Sequence, residues 1–269
     1  MALACGQDIR FTPRQQLLGW AKFLALSGLL VWALALGTGN LGYNWQWYRV
    51  PRFLFTRTEA GLVPGPLLDG LWVTVKITAL AFVLAFAIGL ATALMRLSSS
   101  ILGRALARGY LELIRNTPLI IQIFFLYFVI APILAIPAFH AAVLALALFE
   151  GAYASEIFRA GIVSIDRGQW EASLGTGLTR AQAYRWVILP QAVRRILPPL
   201  AGQAVSLVKD SALVSTIAIY DLTMRGQAIV AETFLTFEIW FTVACIYLAL
   251  TLTLSLAIGR LQRRFQASC

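Results

Sequence analysis

The feature that most limits what this chain can become is a series of apolar runs, each about 20 residues long. A helix of that length crosses the roughly 30 Å hydrocarbon core of a bilayer. Composition points the same way: 59% of the 269 residues are apolar and only 13% are Asp, Glu, Lys or Arg. An average soluble domain carries roughly 25% charged residues. A chain this poor in charge cannot cover a globular surface with polar groups, and it is too apolar to remain disordered. A soluble enzyme is excluded. The runs also lack the in–out alternation of membrane barrel strands, so the expected class is all-α transmembrane.

Six helices are predicted, over roughly 17–39, 70–95, 117–136, 138–158, 197–218 and 236–258. The first contains Lys22, but near its start, where a lysine can snorkel to the interface. It is too long for a signal peptide, and no small-residue cleavage site follows it. Span two carries Ala81, Ala85, Gly89 and Ala93 at a spacing of four. Such a stripe lets another helix approach closely, although alanine is simply common in this chain.

The net charge is +10, a balance that in a soluble protein would suggest nucleic acid. In a membrane protein it requires a test of sidedness, because cytoplasmic loops concentrate Lys and Arg. With both termini inside, the inner segments hold Arg10, Arg14, Arg96, Arg104, Arg108, Arg115, Arg159 and Arg167. They also hold Arg180, Arg185, Arg194, Arg195, Arg260, Arg263 and Arg264. Only Arg49, Arg52, Arg57 and Arg225 fall outside. Tyr43, Trp45, Trp47, Tyr48, Trp72 and Trp240 then suit an outer aromatic belt. Cys5, Cys245 and Cys269 are scattered, without the spacing of a disulfide framework or a zinc site.

The most informative segment lies between spans four and five, residues 164–200. Asp166 followed by Gln169, and Thr179 followed by Gln182, read as two helix starts of the capping-box kind. Gly175, Thr176 and Gly177 supply the turn between them, and Pro190 ends or kinks the second helix. Two short cytoplasmic helices set at an angle are expected. They fit either an amphipathic surface on acidic lipid, with Arg194 and Arg195 at its edge, or a plug for a groove on a partner. A DNA-binding helix-turn-helix does not suit so short a loop between spans.

Within that loop, Glu171-Ala172-Ser173, then Gly177, then Val187-Ile188-Leu189-Pro190, resembles the EAA loop of ATP-binding-cassette importer permeases. Ser173 stands where the family has a second alanine, and Val187 where it has isoleucine. The resemblance runs from about residue 66 to the end. Glu112-Leu113-Ile114-Arg115-Asn116-Thr117-Pro118-Leu119, Gly151-Ala152-Tyr153 with Glu156 and Arg159, Leu189-Pro190-Gln191-Ala192 and Lys209-Asp210-Ser211 resemble polar amino-acid permeases of the histidine/glutamine type.

The resemblance implies a five-helix type I importer permease core over 66–269, containing the cytoplasmic coupling loop 164–190. Residues 1–65 would be an extension with one additional transmembrane helix and an outer loop. It further implies a multi-pass protein of the bacterial cytoplasmic membrane, with both termini cytoplasmic. Its partners would be an ATPase dimer, a second permease subunit (identical or homologous) and an extracytoplasmic amino-acid-binding protein. ATP and Mg would sit on the ATPase, with no cofactor, metal or catalytic residue in this chain. The sequence has no G-x-x-x-x-G-K-[ST] phosphate loop, and its three lysines, Lys22, Lys76 and Lys209, follow no glycine-rich turn. In the family the EAA helix sits in a cleft of the ATPase and conveys its closure. Glu171, Ala172 and Gly177 are then coupling residues, with Trp170 and Leu174 as apolar knobs, and transport proceeds by alternating access.

Charged groups inside spans cost at least roughly 2.5–3.5 kcal/mol on insertion scales, so they should face protein or water. Gln203, Ser206 and Asp210 share one helical stripe, as do Glu150 and Tyr153. With Lys209 they are the candidates for the substrate pathway. For Glu156, Arg159, Lys209 and Asp210 a core pairing network is the favoured reading. Glu150 has two readings of equal standing: a carboxylate that attracts a cationic or amino group, or a protonated core acid. His140 is expected at the outer interface, and Pro118, Pro198 and Pro199 at helix starts. A secondary transporter using Glu150 or Asp210 as a proton site would leave the capped cytoplasmic helices unexplained, and a structural or signalling membrane protein would show no substrate flux.

Overall fold

The computed structural model describes residues 13–40, 42–59 and 61–266; Cys5, Arg10 and Cys269 lie outside the described residues. Residues up to Gln46 and residues from Trp47 onward form separate compact units. The first is built on α1 (Pro13–Asn40), which contains the whole of the first expected span.

The second unit opens with a short helix, α2 (Pro51–Leu54), and an antiparallel hairpin, β1 (Phe55–Thr58) with β2 (Gly61–Pro64), in the register Phe55 opposite Pro64. This two-stranded hairpin precedes a body that is helical, as expected. Its far end is tied back to α2 by a backbone bond from Gly65 to the Leu54 carbonyl, 2.7 Å. Phe53 and Leu54 pack against a core of Leu67, Leu222, Leu235 and Ile239.

Next come α3 (Pro66–Leu97), α4 (Ile101–Arg115), α5 (Leu119–Phe125), α6 (Ala131–Leu134) and α7 (Ala138–Val163). They are followed by α8 (Arg167–Gly175), α9 (Arg180–Ala183), α10 (Leu189–Asp210), α11 (Leu222–Thr233) and α12 (Thr236–Gln266). Among the described residues, α3, α7 and the Thr236–Arg260 part of α12 are each long and apolar enough to cross a membrane. A further pair, α4 with α5–α6, passes the same test but bends by 107°. Gln122 stitches that bend: its amide nitrogen donates to the Ile114 and Thr117 carbonyls at 2.8 and 3.0 Å.

The span expected over 117–136 corresponds to Leu119–Leu134, one continuous helical run whose middle turn, Leu126–Ile130 between α5 and α6, is π-helical. The span expected over 197–218 begins earlier, at Leu189, and passes after Asp210 into a 3-10 helix, Ser211–Ile217. Pro198 and Pro199 thus lie inside α10 rather than at its start. Pro190 does not end the helix either: a second π-helical turn, Tyr184–Ile188, precedes it, and α10 continues. Such wide turns absorb a proline that can neither donate to the preceding turn nor avoid its carbonyl. Pro118 occupies the cap position of α5, not its first turn. Asn116 and Thr117 bond back to the Glu112 and Leu113 carbonyls at 2.8 and 2.9 Å, and so cap nothing ahead of them.

The body is held by α3 lying along α7. Ala81, Ala85, Gly89 and Ala93 are all buried. A Cβ on Gly89 would stand 2.8 Å from that of Ala154 and 2.9 Å from the Gly151 carbonyl oxygen. The stripe therefore brings the two helices into contact, as small residues do in the absence of a hydrophobic drive between lipid-facing helices. Hydroxyls on the apolar helices return to their own backbone. Thr78 donates to the Thr74 carbonyl at 2.9 Å and Thr253 to the Ala249 carbonyl at 2.8 Å, which removes the cost of an unpaired polar group in hydrocarbon.

Candidate functional site

Two groups of residues are brought together, one within the helical body and one on the loop between α7 and α10. In the first, Glu150 of α7 is 3% exposed. The side-chain nitrogen of Gln203, on α10, donates to its Oε2 at 3.0 Å, and the Asp210 carboxyl is a further hydrogen-bonding neighbour. Gln203 and Asp210 lie at positions i and i+7, two turns apart on one side of α10, with half-buried Ser206 between them. Two members of the stripe read from the sequence, Gln203 and Asp210, thus meet Glu150. Tyr153 is directed elsewhere: its ring lies 5.0 Å from that of Phe149 and 6.0 Å from the Arg115 guanidinium carbon. Lys209 is exposed.

Two turns along α7, Glu156 is the hub of a charge network. Its Oε1 accepts from Arg96 of α3 at 2.5 Å and from Arg115 of α4 at 3.2 Å, and its Oε2 accepts from Arg159 at 3.1 Å. The Arg159 partner is legible as an i, i+3 pair. Arg96 and Arg115 come from helices distant in sequence, and no local spacing announces them. Arg195 adds a bond from α10 to the Ser164 carbonyl. One carboxylate therefore ties α3, α4 and α7 at the arginine-rich end.

The loop folds as two helices set apart by a turn. Asp166 caps α8, its Oδ1 accepting from Gly168 N at 2.7 Å. The reciprocal half is missing, because the Gln169 side chain instead accepts from Gln191 at 3.0 Å. Thr179 and Gln182 form the complete reciprocal box at α9. Gly177 has a φ of +84°, the left-handed backbone that ends a helix most cheaply with glycine. Glu171, Ala172 and Leu174 are exposed on α8.

Trp170 is not an outward knob. It is half-buried against Phe158, Ile165 and Ile188, its ring centroid 6.0 Å from that of Tyr184. Ser173, the departure from the family pattern, is buried and donates to the Trp170 carbonyl at 2.8 Å. The tryptophan anchors the loop to the body and leaves Leu174 as its apolar contact.

The opposite end carries a network that the sequence reading missed. Asp221 caps α11 by accepting from Met224 N at 2.8 Å, and the Leu222 amide donates to Thr74 of α3 at 3.1 Å. Tyr247 of α12 meets Thr223 at 2.9 Å and Asp221 at 3.4 Å. Burial pushes the Asp221 carboxyl up to about 6, against the opposing effect of these donors. An aspartate immediately before a helix is a cap signal, so Asp221 was within reach of sequence reasoning; its partners on α3 and α12 were not.

Residues 85–267 match the model of the family described as binding-protein-dependent transport system inner membrane component. The chain is 39% identical over 203 residues to the glutamine transport system permease protein of Escherichia coli strain K12, covering 74% of this chain and 93% of that one. It is 37% identical to the L-cystine transport system permease protein of Bacillus subtilis strain 168, covering 74% and 86%. Among solved structures, an amino acid ABC transporter crystallised with histidines superposes with a TM-score of 0.70 at 41% identity, over 74% of this chain and 94% of that chain. An inward-facing methionine ABC transporter shares the fold, with a TM-score of 0.63 at 21% identity, over 74% and 95%.

Proposed function

Because the chain belongs to the family of inner membrane components of binding-protein-dependent transport systems, we propose that it is the permease subunit of an ATP-driven importer of polar amino acids. The observation that carries this reading is the α8–α9 loop: two capped helices pinned by Trp170 and displaying Glu171, Ala172 and Leu174. A rigid, exposed helix suits insertion into a cleft on a partner ATPase. ATP and Mg are bound and consumed there, and this chain converts closure of the ATPase into alternating access.

Two such permease chains, identical or homologous, stand over an ATPase dimer, and an extracytoplasmic binding protein delivers the amino acid. The arginine-rich end is cytoplasmic, as the positive-inside rule requires, and both termini lie on that side. Glu150, with Gln203, Ser206 and Asp210 facing it, lines the substrate pathway, where an intramembrane acid attracts the amino or cationic group of the cargo. Tyr153 and Lys209 belong to its surroundings rather than to the contact itself.

Reconstituted vesicles containing the permease, its ATPase and its binding protein test the reading. Uptake of labelled amino acids that needs both ATP and the binding protein is expected, and the panel names the cargo. Flux driven by a proton gradient without the ATPase would replace this reading with a secondary transporter. Glu150→Gln should change the uptake rate or the substrate ranking; an unchanged profile removes Glu150 from the pathway.

A further inference from the structure

The helix α4 is bent by 107° from the α5–α6 run that follows it, so the two cannot both cross the membrane upright. Its ends are tied to one level. Near its start, the Arg104 guanidinium donates to the carbonyl of Ser98, just past the end of α3, at 3.1 Å. At its end, Arg115 meets Glu156, which also holds Arg96 of α3. Both ties reach the arginine-rich end of α3, whereas Leu119–Leu134 leads back to the start of α7 at Ala138. It is α5–α6 that crosses, and α4 runs along the membrane plane.

At about 100° per residue, α4 has three sides. Ala107, Leu111 and Ile114 are buried against the body. Leu102, Leu106 and Leu113 form an exposed apolar side. Arg104, Arg108, Glu112 and Arg115 fall roughly opposite those leucines. Two hydrogen bonds fix which side is deep. Tyr110, beside the leucines, donates at 2.5 Å to the carbonyl of Leu148, about two turns further into the membrane along α7 than Glu156. Arg104, on the other side, reaches out to Ser98. The leucines therefore face hydrocarbon and the arginines face the membrane surface, the arrangement of a helix that lies in the bilayer interface. A contact with a second membrane subunit gives no reason for the change from leucine to arginine to follow depth.

The cations on that side are not all neutralised. Glu156 compensates Arg115, but among the described residues Arg108 makes no ion pair. The carbonyl bonded to Arg104 leaves its charge uncompensated. Glu112, the acid on the same side, is engaged by the Asn116 amide at 2.8 Å. We infer that α4 lies in the cytoplasmic interface of the bilayer and that Arg104 and Arg108, one turn apart, bind the phosphate of an anionic glycerophospholipid. The leaflet rests on the proposed orientation, with the arginine-rich end inside.

The test uses the full-length chain in its assembled transporter, in nanodiscs of equal parts phosphatidylglycerol and phosphatidylcholine. A benzophenone side chain at position 105, exposed on α4 beside both arginines, should crosslink to phosphatidylglycerol over phosphatidylcholine by about tenfold, the preference expected of two arginines at an anionic surface. In R104Q/R108Q the same probe should still crosslink to lipid, but to both lipids equally. A second measurement leaves the arginines intact. With Cys5, Cys245 and Cys269 replaced by serine, a spin label on Leu106→Cys should be relaxed mainly by oxygen, and one on Glu112→Cys mainly by a water-soluble nickel complex. Neither measurement requires transport, so failure of the importer reading leaves both standing. Equal crosslinking of the two lipids without the arginine substitutions, adducts to a second membrane subunit in place of lipid, or the reverse relaxation pattern overturns the inference.

Discussion

Glu156 shows how one side chain can matter more than its exposure suggests. Three arginines from three helices converge on it, so Glu156→Gln leaves three guanidinium groups facing one another without a counter-charge. The carboxylate is 27% exposed, which reduces the penalty below that of a fully buried pair; about 1–2 kcal/mol is expected. A lowered unfolding midpoint of the detergent-solubilised permease measures it, and an unchanged midpoint would show the network to be ornamental. Asp221 provides a second prediction with a definite sign. Its pKa is raised by burial to about 6, above the value near 3.9 of an exposed aspartate. Its protonated form therefore favours folding: the contribution is complete below about pH 4 and is lost as pH rises through 6. Two pKa units correspond to about 3 kcal/mol. Tyr247, Thr223 and Thr74 face the site from α12, α11 and α3, and Arg225, one turn along α11, lies over the Tyr220 ring at 5.0 Å. Asp221→Asn keeps an N-cap and removes the titration. Wild type should lose stability relative to this variant between pH 4.5 and 7, and parallel pH profiles would refute the assignment.

At the scale of elements, the tightest constraint is the meeting of α3 and α7 at Gly89. Any side chain there strikes Ala154 and the Gly151 carbonyl, and neither can move without shifting α7 and, with it, Glu150 and Glu156. Gly89→Leu is expected to cost about 1–3 kcal/mol, as overpacking does. The substitution should also reduce uptake, whereas Gly109→Ala, inside α4 where a Cβ meets open space, should leave uptake unchanged and raise stability by about 0.5–1 kcal/mol. Equal behaviour of the two variants would show that the helix contact is slack. The spacing of four between Ala81, Ala85, Gly89 and Ala93 was legible in the sequence; that it faces α7 was not, because a periodic face does not name its partner. The same limit explains the prolines. Thr179 with Gln182 announced a helix start that is present in full, since the capping box is local chemistry. Pro198 and Pro199 announced boundaries that are absent, and Pro190, read as an end or a kink, follows a π-helical turn instead of an end, because π-helical turns and packing override a local preference. Trp170 looked like an exposed knob because nothing within α8 shows that Phe158, Ile165 and Ile188 will close over it.

For the whole molecule, charge distribution decides what individual helices cannot. Net charge of +10 comes from arginines gathered on alternate connections, so inverting the protein would move fifteen of them across the membrane in place of four. By the positive-inside rule the basic excess in short loops favours the proposed orientation. In the proposed orientation the loop between α7 and α10, with Glu171 and Leu174, lies on the same side as Arg96 and Arg115, the side on which the ATPase would dock. The natural cysteines make this testable with little alteration, because Cys5 and Cys269 lie near the two ends of the chain. In cells with a permeable outer envelope and an intact inner membrane, both should resist a membrane-impermeant maleimide until that membrane is opened. Arg57→Cys, on the hairpin strand β1, should label at once after Cys5, Cys245 and Cys269 are replaced by serine. Immediate labelling of Cys5 alone would mean that the first helix does not cross the membrane and would leave the coupling loop inside. Immediate labelling of Cys269, together with protection of residue 57, would invert the body, carry the α8–α9 loop away from any cytoplasmic ATPase and end the importer reading.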